Sequence, residues 1–349
     1  MARAMHCALL TMDRRTDRVR VLLNPGASRA PEPEALRALL AERPAWRLVE
    51  LAEGDSLEGH VHDAAREGVQ VVIAAGGDGT VASVASVLAR LGVDAPALGV
   101  LPLGTANDLA TQLAMPLDVE GALAIFDAAE VRALDAIELA LDDGSTRVVV
   151  NVANGGFAAN VGAVLDSEAK ETWGALAYAR AAIEAESPTH RVTFQVDDDA
   201  PEQHDAVVLA IANGATCGGG VRVAPTADLE DGLFDLVLVS PASAPRLAAL
   251  AARLRVGKLE DHELLERRVG RALSLRIEPP MAFSLDGELV EQSVAAARVL
   301  PGALKVVVGP EYRRGDLPDP DSSSSDESSD EVPLPALDGD VREAAQVRG

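Results

Sequence analysis

Two short stretches place groups that could handle a phosphate. In "GGDGT", Gly76 to Thr80, an apolar run from Val71 to Ala75 stops at two glycines, a carboxylate follows, and small and branched residues continue at helical spacing. Glycines allow positive φ and close approach of a ligand to the backbone. A helix that follows offers unpaired N–H groups and the positive end of its dipole. Thr80 could cap that helix or donate to a phosphate oxygen. Asp78 would repel a bare phosphate, so it points to a cation or a proton-relay partner beside a nucleotide. The stretch "GVLPLGTANDLA" repeats the logic: a strand over Leu98 to Leu101, then Gly104 and Thr105, then a helix from about Asn107, with Asn107 and Asp108 as cap residues. Two such loops in one open α/β sheet line a single crevice at the carboxyl ends of its strands. Two further acidic stretches, "FSLDGE" (Phe283 to Glu288) and "DLEDGLFD" (Asp228 to Asp235), read by pattern alone as a hairpin turn and an acidic turn. The histidines (His6, His60, His62, His190, His204, His262) have no metal-ligand spacing.

The elements that must carry these loops alternate in the first third of the chain. Strands are expected at Val19–Asn24, Trp46–Leu51, Val69–Ala75 and Pro96–Leu103, and helices at Glu32–Arg43, Ser56–Glu67 and Thr80–Leu91, with Ser56 as an N-cap. Strand-helix alternation predicts a mostly parallel sheet with helices on both faces. After about Arg132 the chain turns to short strand candidates: "TRVVVNVA", "HRVTFQV", "DAVVLAIAN", "GLFDLVLVS", "ALSLRIE", "MAFSLDGE" and "ALKVVVG". These predict a β-rich second domain, interrupted by helices at about Thr172–Glu186 and Ala244–Arg268. From Arg313 onward the chain is Pro-, Ser- and acid-rich, which predicts a disordered tail.

Composition narrows the function classes. The 349 residues suggest about two domains. Hydrophobic residues are 48% and aromatics 3%, so the cores must be built from Val, Leu and Ala. Cys7 and Cys217 make neither a metal spacing nor a disulfide framework, which fits a reducing, cytoplasmic setting. The apolar patch Cys7 to Leu10 is too short and wrongly flanked for a signal peptide. No stretch approaches the ~18 to 20 apolar residues of a membrane span. A net charge of -24 repels nucleic acid, so no nucleic-acid partner is expected.

The motifs "NPGAS" (Asn24 to Ser28), "GGDGT", "PLGTANDLA" (Pro102 to Ala110), "NVANGGF" (Asn151 to Phe157), "ANGATCGGGVRVAPTADLEDGLFDL" (Ala212 to Leu236) and "FSLDGE" occur in that order. Together they resemble the diacylglycerol kinase-type lipid kinase family, most closely its bacterial soluble YegS-like members, over roughly residues 18 to 310. "GGDGT" alone is shared with NAD kinases and phosphofructokinases; the combination is more specific. The resemblance implies an N-terminal three-layer α/β nucleotide-binding domain of the NAD kinase/diacylglycerol kinase-like kind, over 18–133 with a return strand near 300–310. It implies a C-terminal β-sandwich over 134–299 that takes the lipid, followed by the acidic tail, 313–349. It also implies ATP and Mg²⁺ as cofactors. Gly76, Gly77, Asp78, Gly79, Thr80 and Thr105 would contact the phosphates. Glu288 would be the general base that takes the proton of a lipid hydroxyl, diacylglycerol or phosphatidylglycerol, as it attacks the γ-phosphate. Asp286 and Asp78, with Asp108 and Asp135, would form the surrounding acidic network. Asp228, Asp231 and the Leu233 carbonyl would bind a structural metal, Mg²⁺ or Ca²⁺.

Three positions depart from the family pattern. Many relatives carry an Asn-Glu pair where this chain has Ala82 and Ser83, and a nucleotide-contacting Thr where it has Glu50, which is left out of the site. Alternative readings are an NAD kinase-like enzyme, or a nucleotide- or lipid-binding protein without catalysis. A lipid kinase must also reach a membrane, at its inner face for a cytoplasmic enzyme. The segment Pro245 to Arg271 has seven basic and four acidic side chains and leucines at helical spacing, and reads either as an amphipathic helix packed on the sandwich or as a site of transient docking on lipid headgroups.

Overall fold

The computed structural model of the protein describes residues 18–315, except 93, 129, 157–187 and 256–261. The Cys7–Leu10 patch, the helix expected at Thr172–Glu186 and the tail beyond Gly315 lie outside the described residues.

Four apolar runs form parallel strands: β1 (Val19–Leu23), β2 (Trp46–Glu50), β3 (Val71–Gly76) and β4 (Ala97–Pro102), in the order β2-β1-β3-β4. β1, β3 and β4 are buried along their whole length. A strand covered on both faces needs apolar side chains at nearly every position, which is why these stretches read as continuous apolar runs. The crossovers are α1 (Pro33–Leu40), α2 (Leu57–Arg66) and α3 (Asp78–Leu91), and two shorter helices follow β4, α4 (Asp108–Gln112) and α5 (Val119–Ile125). Ser56 caps α2 as expected, its Oγ accepting the Gly59 N–H at 3.0 Å. α3 buries Val81, Val84, Ala85 and Leu88, a stripe at three- and four-residue spacing. Arg20 is the one charged residue within β1, and it reaches Glu67 at 2.6 Å.

The rest of the chain is mostly β: β5 (Glu130–Leu141), β6 (Thr146–Val149), β7 (Val152–Gly156), β8 (His190–Val196), β9 (Glu202–Ala206), β10 (Val208–Ala212), β11 (Phe234–Val239), helix α6 (Ala244–Arg255), β12 (Leu265–Gly270), β13 (Ala272–Glu278), β14 (Phe283–Leu285), β15 (Glu288–Val290) and β16 (Val294–Val308). Six of these strands make a second, antiparallel sheet, β12-β11-β10-β7-β14-β15. Its inner face packs on the far part of the first sheet through one core that includes Ile137, Leu139, Phe194, Ile211, Phe234 and Phe283. The architecture is an α/β domain followed by a β-sandwich.

β16 belongs to both halves. Its Val294–Leu300 part pairs with Ala136–Leu141 of β5 in the sandwich, and its Leu304–Val308 part pairs with Glu130–Leu134 and lies parallel to β4 at Val306. The register shifts between these parts, at Gly302, which has a positive φ of 60°. The Gly302 N–H donates to Asp135 Oδ1 at 2.7 Å, so the bulge is held by the neighbouring strand.

The structure corrects three local expectations. The helix expected over Ala244–Arg268 is helical only over Ala244–Arg255 among the described residues, and Leu265–Gly270 is strand β12 on β11. Its charges pair across and along the strand, Arg268 with Glu202 and Glu266, so tertiary pairing outweighs local preference. Glu130–Leu141, rich in Ala, Leu and Glu, carried no strand expectation yet forms the long strand β5. α3 begins at Asp78, two residues before Thr80, with Gly77 as its N-cap. Among the described residues no helix is long and apolar enough to cross a membrane.

Candidate active site

The site begins where β3 runs out. Gly76 and Gly77 turn the chain into α3, and no side chain caps that helix, so its first-turn N–H groups face the cleft without a side-chain acceptor. Thr80 lies in that first turn and is buried; its Oγ1 accepts the Asn24 amide at 3.0 Å. A Cβ at Gly76 would sit 2.6 Å from the Thr80 side chain, so glycine there is what lets Thr80 take this place.

The second loop, after β4, is folded by its own asparagine. Asn107 has φ 52°, its Oδ1 accepts the Gly104 N–H at 3.0 Å, and its Nδ2 donates to the Gly104 carbonyl at 2.8 Å. The two glycine loops touch: a Cβ on Gly104 would lie 2.5 Å from the Gly77 Cα. Thr105 and Ser28 hydroxyls meet at 3.1 Å. The result is an open cleft of about 460 Å³ lined by Asn24, Ser28, Gly77, Gly79, Thr80 and Ser83, among others. That size suits a nucleotide-class ligand.

Asp78 turns toward α4. Its Oδ2 accepts the Asn107 N–H at 2.8 Å and its Oδ1 the Asp108 N–H at 2.7 Å, so the carboxylate caps a helix that begins 30 positions later. Asp108 passes the connection on. Its two oxygens accept the N–H groups of Gly219 (2.9 Å) and Gly220 (2.8 Å) in the glycine loop 218–220. Burial, then the nearby Asp78 charge, pushes the Asp108 carboxyl above its ordinary range against the pull of those N–H bonds. From the other end of α4, Gln112 Oε1 accepts the Ala215 N–H at 2.7 Å, and its Nε2 donates to Asn151 Oδ1 at 3.0 Å.

Asn151 leads to the "DGE" hairpin. β14 and β15 are joined by Asp286 and Gly287, both at positive φ (48° and 95°), a two-residue type I′ turn. The Asp286 carboxylate folds back onto the entry to β7, accepting the N–H groups of Val150 (2.7 Å), Asn151 (3.0 Å) and Val152 (2.8 Å). Burial outweighs these bonds and, with Asp78 adding a smaller push, raises its carboxyl to about 6. Glu288, directly after the turn, is exposed, and among the described residues its carboxylate has no hydrogen bond or ion pair. Cys217 lies near both Asp108 and Asp286, and burial pushes its thiol up to about 12.

The "DLEDG" loop is a separate cluster. Asp228 Oδ1 accepts the Glu230 N–H at 2.9 Å, its Oδ2 takes Arg314 Nε at 2.7 Å, and Asp231 Oδ1 accepts the Leu233 N–H at 2.8 Å. Asp135 Oδ2 accepts the Gly232 N–H at 2.6 Å. Burial, followed by Asp228, Asp135 and Asp235, raises the Asp231 carboxyl. These crowded oxygens suit a hard cation, although Arg314 already neutralises Asp228. Among the described residues no three His, Cys, Asp or Glu side chains converge as a metal cage.

Gly77, Gly79, Thr80 and, through Ser28, Thr105 therefore gather at one cleft; Gly76 supports it from below, and Asp78 joins its two loops. Glu50 pairs with Arg37. Ser83, at a departed position, lines the cleft while its hydroxyl donates to the Gly79 carbonyl at 2.7 Å. Ser28, Gln112 and Asn151 have roles that no local pattern signalled, because each depends on a partner from a distant segment.

Residues 18–139 match the diacylglycerol kinase catalytic domain, and residues 148–308 match the YegS C-terminal NAD kinase beta sandwich-like domain. A Pseudomonas aeruginosa protein described as a probable lipid kinase YegS-like is 33% identical over 297 residues, 83% of this chain and 94% of that protein. A Stenotrophomonas maltophilia protein with the same description is 32% identical over 259 residues, 73% of this chain and 83% of its own length. The crystal structure of a diacylglycerol kinase from Bacillus anthracis covers 85% of this chain and 98% of its own, with a TM-score of 0.65 at 19% identity, a likeness of fold.

Proposed function

Because the chain belongs to the YegS-like lipid kinases of the diacylglycerol kinase family, we propose that it transfers the γ-phosphate of ATP to the hydroxyl of a lipid, diacylglycerol in the first instance or phosphatidylglycerol. The observation that carries this reading is the position of Glu288: a carboxylate without a partner among the described residues, next to a turn whose Asp286 is locked onto β7 and linked through Asn151, Gln112 and α4 to the two glycine loops.

The α3 N–H groups, with Thr80, Thr105 and the Gly77–Gly104 backbone, bind the ATP phosphates. Glu288 takes the proton of the lipid hydroxyl as that oxygen bonds to the γ-phosphorus and the bond to the β,γ-bridging oxygen breaks, releasing ADP. Asp286 fixes the hairpin, so Glu288 is presented with little freedom. Mg²⁺, when bound, neutralises charge on the phosphate oxygens. The Asp78, Asp108 and Asp286 carboxylates supply the negative field that favours it, and Asp228, Asp231 and the Leu233 carbonyl would hold a second, structural Mg²⁺ or Ca²⁺. The reaction takes place at the inner, ATP-supplied face of a membrane, with the protein bound peripherally.

The test is transfer of label from γ-labelled ATP, with Mg²⁺, into a panel of lipids. One labelled lipid, lost at least 100-fold in Glu288→Gln, is the expected result. No label in any lipid despite ATP binding would overturn the reading.

A further inference from the structure

Helix α6 carries Arg246, Arg253 and Arg255 and no acidic residue, on a chain of net charge -24. Its apolar side is already used. Leu250 is buried against Val207, Val239 and Leu264, with Leu247 and Leu254 packed beside it, and these leucines are three and four residues apart. Arg246 pairs with Glu263. Arg253 and Arg255, on the last turn, are exposed, and neither has a hydrogen bond or ion pair among the described residues.

The position of that turn matters. The Leu254 carbonyl accepts the Arg222 N–H at 3.1 Å, and Val221 and Cys217 are bonded in both directions across the base of the glycine loop. That loop gives the Gly219 and Gly220 N–H groups to Asp108. Arg253 and Arg255 therefore sit one short loop away from the candidate active site.

We propose that the C-terminal turn of α6, through Arg253 and Arg255, docks the protein on an anionic phospholipid surface. The choice of partner rests on the lipid-kinase reading; the cationic turn does not. The overall negative charge is no obstacle at contact range, because charges more than about 8 Å away are largely screened at physiological ionic strength. An arginine near an anionic leaflet strengthens binding about fivefold, so two give roughly 25-fold.

The experiment is co-sedimentation of the full chain, without ATP, with vesicles of phosphatidylcholine alone or mixed three to one with phosphatidylglycerol. The wild type should bind only the mixed vesicles and lose binding in high salt. R253Q/R255Q should bind them roughly 25-fold more weakly, whereas Arg276→Gln, at an exposed arginine on β13, should bind like the wild type. An unchanged thermal midpoint for R253Q/R255Q shows that the loss is not unfolding. Equal binding by wild type and R253Q/R255Q, or no wild-type binding, overturns the proposal; the latter is also what an acidic protein partner predicts. Phosphorylation of a soluble short-chain diacylglycerol is read separately: its absence in the wild type counts against the kinase reading and leaves the vesicle result standing.

Discussion

Asp78 Oδ1 accepts the backbone N–H of Asp108 at 2.7 Å, and through that bond the two glycine loops become one unit. The carboxylate that looked out of place in a phosphate cradle is a cap for α4. Asp108 then uses its own carboxylate on Gly219 and Gly220, so a short helix ties the α/β side to the sandwich side.

Asp78 is therefore expected to act by positioning. Asp78→Asn keeps the size but can accept at only one of the two N–H groups, leaving an amide N–H facing the other. Stability should fall by about 1–3 kcal/mol, and KM for ATP should rise more than kcat falls. Chemical denaturation and steady-state kinetics read both. A large loss of kcat with unchanged stability would instead put Asp78 on the reacting atoms.

The raised Asp286 carboxyl gives a pH dependence with a definite sign. Its pKa moves from 3.8 to about 6 on folding, so between about pH 4 and 6 the folded protein holds a proton that the unfolded chain has released. The stability contributed by that proton is full below pH 4 and is lost as pH rises through 6. Burial moves Asp108 and Asp231 in the same direction. Carboxyl-carbon NMR should find the Asp286 midpoint near 6, and denaturation should show stability falling across that window. A midpoint at or below 4 would contradict it.

Much of this site is legible in sequence wherever the cause is local. The all-apolar runs of β1, β3 and β4 announce strands covered on both faces, and Asp286-Gly287 announces a two-residue turn. What fails to show is whatever depends on a distant partner. The Asp78 carboxylate looks catalytic until Asn107 and Asp108, 29 and 30 positions on, are seen to donate to it. Glu130–Leu141 has the Ala, Leu and Glu of a helix, and the pairing of β5 with β16 and β6 makes it a strand. The charges of β12 could as well have laced a helix.

Arg314 gives a handle on the proposed metal loop. Its Nε bond to Asp228, whose side chain is 16% exposed, supplies positive charge beside Asp231. Arg314→Ser should cost about 0.5–1 kcal/mol in metal-free buffer, and millimolar Mg²⁺ or Ca²⁺ should then raise its thermal midpoint more than that of the wild type. Asp231→Asn should abolish the metal response in both backgrounds. Identical responses in all of these proteins would show that the loop binds no cation.

Gln112 is the most exacting test of the joint between the two halves. It is buried and bonded at both ends of its amide: Oε1 takes the Ala215 N–H at 2.7 Å, and Nε2 reaches Asn151 Oδ1 at 3.0 Å. Gln112→Leu fills similar space but leaves the Ala215 N–H and the Asn151 oxygen unpaired, which should cost about 2–4 kcal/mol. Because Asn151 also donates its N–H to Asp286 at 3.0 Å, the damage should spread to the Glu288 hairpin. A loss of kcat at saturating ATP is expected beyond what the folded fraction explains. Gln112→Glu separates the causes: its carboxylate still accepts from Ala215, but faces the Asn151 oxygen without a proton to share. Protonation restores the donor, so this variant should recover both stability and kcat as pH falls toward 5, the direction in which Glu288 as general base would by itself lose activity. A kcat for Gln112→Glu that only declines with acid, in parallel with wild type, would mean that the joint carries no influence to the site.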